Sequence, residues 1–120
     1  MSFAFVFPGQ GSQSVGMMNG FDGLSIVRET FEEAGQVLKQ DLWGMITGGS
    51  AEELNLTINT QPVMLTAGVA VFRAWNALHG ARPTVLAGHS LGEYTALVAS
   101  GALSFADALP LVRFRAQAMQ

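Results

Sequence analysis

The stretch VLAGHSLGEYTALVASG, Val85 to Gly101, constrains the fold more than any other part of the sequence. An apolar run, Thr84–Ala87, reads as a buried strand. Gly88-His89-Ser90-Leu91-Gly92 follows, and Leu91–Ser100 then has the pattern of a helix. G-x-S-x-G between a strand and a helix is the context of a nucleophile elbow. The serine sits on a tight, strained turn that displays its hydroxyl at the C-terminal edge of the sheet. Side chains at Gly88 and Gly92 would collide with neighbouring backbone. The Leu91 N–H points to the same side as the Ser90 oxygen, at a helix N-terminus whose partial positive charge favours an anion. Donors of this kind stabilise a tetrahedral oxyanion, each by roughly 3 kcal/mol of barrier. The competing reading is a plain Gly-Ser turn, and the flanking strand and helix weigh against it.

Ser90 needs a general base. The chain has two histidines. His89 adjoins the serine, and on a sharp turn its side chain points elsewhere. His79 ends a helix ahead of Gly80, where it suits the negative end of the dipole. Both read as structural, so the general base is expected outside this chain.

Elsewhere, FAFVF (Phe3–Phe7) is an unbroken apolar run of the kind found in strands covered on both faces. PGQGSQSVGM follows it as a glycine-rich loop. Apolar residues at Val27, Phe31, Ala34 and Leu38 have a helical period over Leu24–Leu38. Ser50 and Glu53 suit a capping box for a short helix. Pro62 fits the first turn of a helix, and the following VMLTAGVAVFRAWNAL is apolar nearly all round, as in a buried helix stopped by Gly80. Ser104 is expected to cap a last helix, which Pro110 would kink. The order gives an α/β fold with a parallel sheet. Two strands are too few for such a sheet, so further strands are expected from sequence beyond this chain.

Composition agrees. Of the 120 residues 49% are hydrophobic and 12% charged, against about 25% charged in a typical soluble domain. Some apolar surface is therefore expected to meet another chain or more of the same one. The net charge is −3, with six Lys plus Arg, which argues against a nucleic-acid partner. No apolar run reaches the roughly 18 residues of a membrane span, and MSFAFVF lacks the features of a secretory signal. There are no cysteines, which removes disulfides, a thiol nucleophile and Cys-ligated metal, and no metal site is expected. A cytoplasmic location is the simplest expectation.

Three motifs in order, FVFPGQGSQ, TQPVMLTAGVA and GHSLGEYTALVASGALSFADAL, resemble the malonyl-CoA:acyl carrier protein transacylase family over essentially the whole chain. The acyltransferase domains of polyketide and fatty acid synthases are similar. The resemblance implies transfer of a malonyl group from malonyl-CoA, through a malonyl-serine ester at Ser90, to the pantetheine thiol of acyl carrier protein in fatty acid synthesis. It implies an oxyanion hole of the backbone N–H groups of Gln10 and Leu91. Arg115, 25 residues after the serine, would hold the malonyl carboxylate, a task suited to a planar guanidinium. Arg113 lies about 200° round the helix and cannot face the same pocket. Gln61 matches a family position near the active site, with helix capping or packing as the competing role.

No cofactor is implied beyond malonyl-CoA and the carrier's phosphopantetheine, and the complete enzyme is expected to be a monomer. The family fold is an α/β-hydrolase-like large subdomain with a ferredoxin-like small subdomain inserted in it. Residues 1–120 correspond to the N-terminal part of the large subdomain, without the small subdomain or the downstream catalytic histidine. This piece alone is expected to be inactive. Met1 directly ahead of the first strand favours a stand-alone enzyme over a synthase domain. The alternatives are a serine esterase or thioesterase with the same elbow, and a non-catalytic fragment that associates with another chain.

Overall fold

Four apolar residues after Phe3 form β1 (Ala4–Phe7), and in this computed structural model, which describes residues 2–120, β1 is one of two strands. Met1, on which the preference for a stand-alone enzyme rests, lies outside the described residues. A 3-10 turn (Asn19–Phe21) follows, then α1 (Ser25–Leu38), α2 (Leu42–Gly48), α3 (Ala51–Leu54), α4 (Thr57–Ala77), β2 (Val85–Gly88), α5 (Gly92–Ala99) and α6 (Phe105–Met119). The fold is α/β, mostly helical, with a small parallel sheet. β1 and β2 pair in the register Ala4 to Val85 and Phe7 to Gly88.

α4 is the central element and packs against α1, α5 and α6. Its apolar run leaves Val63, Leu65 and Ala70 fully buried among Phe31, Leu42, Ile46, Leu109 and Val112. Each large apolar side chain of this kind contributes roughly 1.5–3 kcal/mol relative to leaving it exposed. α1 buries Val27, Phe31 and Ala34 on one face, as its period predicts.

The strands depart from expectation. β1 alternates: Phe3, Phe5 and Phe7 pack edge-to-face with Phe72 and Trp75 of α4 or with one another, at centroid distances of 5.3–6.3 Å. Ala4 and Val6 face the other way, and Val6 is 70% exposed. Val85 of β2 is 54% exposed. Within residues 2–120 the helices cover one face of the sheet and leave apolar Val6 and Val85 open on the other, in keeping with apolar surface expected to meet another chain or more of the same one.

Three details of the helices also differ. Pro62 is the sixth residue of α4, not part of its first turn. The turn ahead of it is held by side chains: Thr60 Oγ donates to the carbonyls of Leu54 and Leu56, and Asn59 Nδ2 donates to that of Glu53 at 2.9 Å. The left-handed residue that stops α4 is His79 (φ 60°), one position before Gly80, with Gly80 N–H donating to Trp75 O at 2.9 Å. This is a Schellman ending, and a Cβ on Gly80 would overlap the Trp75 ring. Pro110 sits inside α6, which runs through it as one helix. The caps at Ser50 and Ser104 form, each hydroxyl accepting from the N–H three residues on at 3.0 and 3.1 Å, but among the described residues the return bond of a capping box, from Ser50 N–H to the Glu53 carboxylate, is not made. The short helix α2, capped by Asp41, is an element the sequence reading omits.

The β2–α5 turn is sterically closed. A Cβ on Gly88 would overlap the carbonyl of Gly92, and one on Gly92 would overlap that of Phe7. Both partners are backbone and cannot rotate away. Gly92→Ala is therefore expected to cost at least the roughly 1–3 kcal/mol of an overpacked core. Gly20→Ala, where a Cβ meets nothing within 4 Å, should stay within about 0.5 kcal/mol of the parent. Denaturant midpoints compare the two.

Candidate active site

Pairing Phe7 with Gly88 ends the two strands side by side. The loop leaving β1 then lies against the turn leaving β2. His89 N–H donates to Phe7 O at 3.1 Å, and a Cβ on Gly9 would stand 2.8 Å from His89 O and 3.5 Å from both Ser90 Cβ and Leu91 N. Only glycine lets the Pro8–Gly11 loop approach the elbow this closely.

Ser90 has φ 55°, in the left-handed region, and its side chain is exposed. A non-glycine residue held there stores of order 1–3 kcal/mol of strain. This is the displayed, strained serine that the motif predicts. Leu91 is fully buried and serves as the N-cap of α5. The first bonds of the turn run from Gly92 N–H to His89 O at 2.9 Å and from Glu93 N–H to Ser90 O at 3.0 Å. Among the described residues, no group accepts from the backbone N–H of Leu91 or of Gln10. Gln10 directs its side chain away from the serine, donating from Nε2 to Thr57 Oγ at 3.1 Å. Gln13 similarly donates to Asn55 Oδ1 at 2.8 Å. The glycine-rich loop is thus anchored to the end of α3 and the start of α4.

Arg115 crosses from α6 to the elbow. Its Nη2 donates to Ser90 Oγ at 3.0 Å, and its Nη1 donates to Gln61 Oε1 at 2.7 Å. Gln61 is fully buried on α4 and donates in turn to Met119 Sδ at 3.5 Å. Gln61 therefore packs and also touches the arginine beside the serine. The guanidinium carbon stands 5.6 Å from the centroid of the Tyr94 ring. Arg113 points elsewhere, as its position on the helix requires: it donates to Leu38 O at 3.4 Å and to Gln40 Oε1. Burial lowers its pKa from arginine's ordinary value.

Of the residues singled out from sequence, Ser90, Arg115 and Gln61 are joined by hydrogen bonds, Leu91 follows the serine in the turn, and the loop carrying Gln10 lies against that turn through Gly9. Among the described residues the Ser90 hydroxyl has one hydrogen-bond partner, Arg115, and no histidine or carboxylate reaches it. Among the described residues, neither His79 nor His89 makes a side-chain hydrogen bond, and both are exposed. The sequence reading did not assign Tyr94, Thr57 or Asn55. Tyr94 lies in the first turn of α5, whereas Ser90 precedes the helix with a left-handed backbone, so helical spacing from the serine does not single it out. Thr57 and Asn55 act across 47 and 42 residues, which no local pattern encodes.

Residues 4–120 match the acyl transferase domain family. The malonyl CoA-acyl carrier protein transacylase of Salmonella typhimurium is 56% identical over 119 residues, covering 98% of this chain and 38% of that protein. A crystal structure of an acyl-carrier-protein S-malonyltransferase from Burkholderia pseudomallei superposes with a TM-score of 0.97 at 67% identity, over 99% of this chain and 39% of that one. A type II PKS acyl-carrier protein in complex with its malonyl-transacylase includes a similar chain, at TM-score 0.98 and 48% identity, over 100% of this chain and 39% of that one. The chain thus spans about two fifths of the length of the relatives it matches. A match that starts at β1 and runs through α6, with backbones this close, shows that the chain belongs to the acyl transferase domain family.

Proposed function

We propose that this chain is the nucleophile-bearing part of a malonyl-CoA:acyl carrier protein transacylase. Residues 1–120 would form the N-terminal part of an α/β-hydrolase-like large subdomain, in a cytoplasmic enzyme of fatty acid synthesis. The observation that carries this reading is a fixed cation beside a displayed serine: Arg115 Nη2 lies 3.0 Å from Ser90 Oγ.

In the proposed reaction Ser90 attacks the thioester carbonyl of malonyl-CoA. The serine oxygen–carbon bond forms, and the carbon–sulfur bond breaks. The serine proton leaves to a general base supplied outside residues 1–120 and ends on the departing thiol of coenzyme A. In the second step the pantetheine thiol of acyl carrier protein attacks the malonyl-serine ester. The sulfur–carbon bond of the malonyl thioester forms, the serine oxygen–carbon bond breaks, and the proton of the thiol passes through the same general base to the serine oxygen. Each tetrahedral intermediate carries an oxyanion, for which the unpaired N–H groups of Gln10 and Leu91 are the donors, each lowering the barrier by roughly 3 kcal/mol. Arg115 binds the free carboxylate of the malonyl group. Gln61, buried and hydrogen-bonded to Nη1, holds that arginine in place. No further cofactor enters the scheme.

An esterase acting on neutral acyl groups would share the elbow but has no use for a guanidinium at hydrogen-bond distance from its nucleophile. The names of the relatives favour the transacylase reading, and the complex with a carrier protein supports such a partner here.

Two experiments test this. The whole protein, exposed to malonyl-CoA, should gain a malonyl adduct by intact-mass spectrometry that maps to Ser90 and is absent from Ser90→Ala. Residues 1–120 alone should form little or none, since loss of one member of a catalytic group costs several orders of magnitude. An adduct that persists in Ser90→Ala sinks the mechanism. In Arg115→Ala, the preference for malonyl over acetyl donors should fall by at least tenfold, as measured by the ratio of kcat/KM values. An unchanged ratio would favour the esterase.

A further inference from the structure

Three contacts fix the Arg115 guanidinium, and they differ in kind. Gln61 Oε1 accepts from its edge at 2.7 Å, and Ser90 Oγ accepts from its edge at 3.0 Å. Tyr94 offers the face of an aromatic ring, 5.6 Å from centroid to guanidinium carbon. A guanidinium has five N–H donors, all in its plane. Every edge contact uses donors that a carboxylate could otherwise take, whereas a ring contact uses none of them. The Ser90 contact is also transient in any acyl-serine mechanism, because an ester oxygen accepts hydrogen bonds poorly. Once the serine is acylated, Gln61 and Tyr94 are the lasting partners. Among the described residues the Tyr94 hydroxyl has no hydrogen bond, so the ring is what Tyr94 brings to the contact.

We infer that Tyr94 is a positioning residue for Arg115, and that its ring face makes the site selective for acyl donors with a terminal carboxylate. The ring stabilises the cation while leaving the Nη2 side of the guanidinium free to bind the carboxylate. This inference rests on the transacylase reading. Tyr94 touches no substrate atom in it and acts through the arginine alone.

The test measures kcat and KM of the whole protein for malonyl and acetyl thioesters of coenzyme A. Tyr94→Leu should raise KM for the malonyl donor about 3- to 30-fold, the range expected for losing a cation–π contact. It should change kcat far less and leave the acetyl donor within twofold of the parent. Tyr94→Phe keeps the ring and should restore the parent values. Equal losses on both donors, no change on either, or a Tyr94→Phe variant as impaired as Tyr94→Leu would each overturn the inference. If Tyr94→Leu does not fold, phenylalanines carrying one to three fluorines at position 94 replace it. These weaken the ring face stepwise at nearly constant shape, and malonyl KM should climb with fluorine number; a flat series overturns the inference. Arg115→Ala is measured alongside. Loss of donor preference in Arg115→Ala but not in Tyr94→Leu defeats this inference alone, whereas no loss in Arg115→Ala defeats the underlying reading.

Discussion

The carbonyl of Phe7 is the point on which the site turns. It accepts the His89 N–H at 3.1 Å, and it lies where a Cβ on Gly92 would be. One backbone group therefore fixes the end of β2, the start of α5 and the loop that leaves β1. The strand register sets this. Side chains alternate along a strand, so a slip of one residue would send Phe5 and Phe7 away from α4 and expose Val6 to it. The edge-to-face packing of Phe5 with Phe72 and Trp75 opposes that slip. The geometry of a small polar turn thus depends on aromatic packing on the sheet face behind it.

α4 links that packing to the chemistry. Its middle and end carry Phe72 and Trp75 against β1, while its second turn carries Gln61 to Arg115. The same helix is buried along most of its length against α1, α5 and α6. A buried amide such as Gln61 costs free energy unless its polar atoms are partnered. Here its oxygen accepts from Arg115 and its nitrogen donates to Met119. Removing the arginine would leave a buried oxygen unsatisfied, so the site arginine also contributes to the packing of α4 against α6.

Features set by a few neighbouring residues were legible in the sequence. The elbow follows from two glycines, a serine and the flanking elements. The α1 face follows from Val27, Phe31 and Ala34, and the caps follow from Ser50 and Ser104. Features decided by distant partners were not. FAFVF reads as a strand covered on both faces, yet which face is covered depends on where α4 lies. Pro62 reads as a first-turn residue because the bonds that extend α4 before it come from Thr60 and Asn59, whose acceptors belong to the preceding segment. The seven-residue α2 has too little length to declare a period, and its cap at Asp41 was the only local sign. Within the candidate site, motif matching proposed Ser90, Gln61 and Arg115, but the contacts that join them, and the ring of Tyr94 beside the arginine, are tertiary facts.

The chain carries a net charge of −3, yet the side chain hydrogen-bonded to Ser90 is a cation, Arg115. Positive potential there comes from the N-terminus of α5, whose first turn also carries Glu93, from the N–H groups of Gln10 and Leu91, which have no acceptor among the described residues, and from the guanidinium of Arg115. The second arginine of α6 is kept apart, engaged by Leu38 O and Gln40 at the end of α1. These sources do not serve one anion equally. Backbone N–H groups are fixed and short-ranged, which suits a charge that exists only while a carbonyl is under attack. A guanidinium is a permanent charge with a flat, forked edge, which suits a carboxylate present from the moment of binding. If Ser90 is the nucleophile, as proposed, its place between these two kinds of donor would suit an acyl group that carries one anion throughout and develops a second in the transition state. In the function proposed above, that division of labour, rather than the serine alone, would separate a malonyl donor from a neutral one.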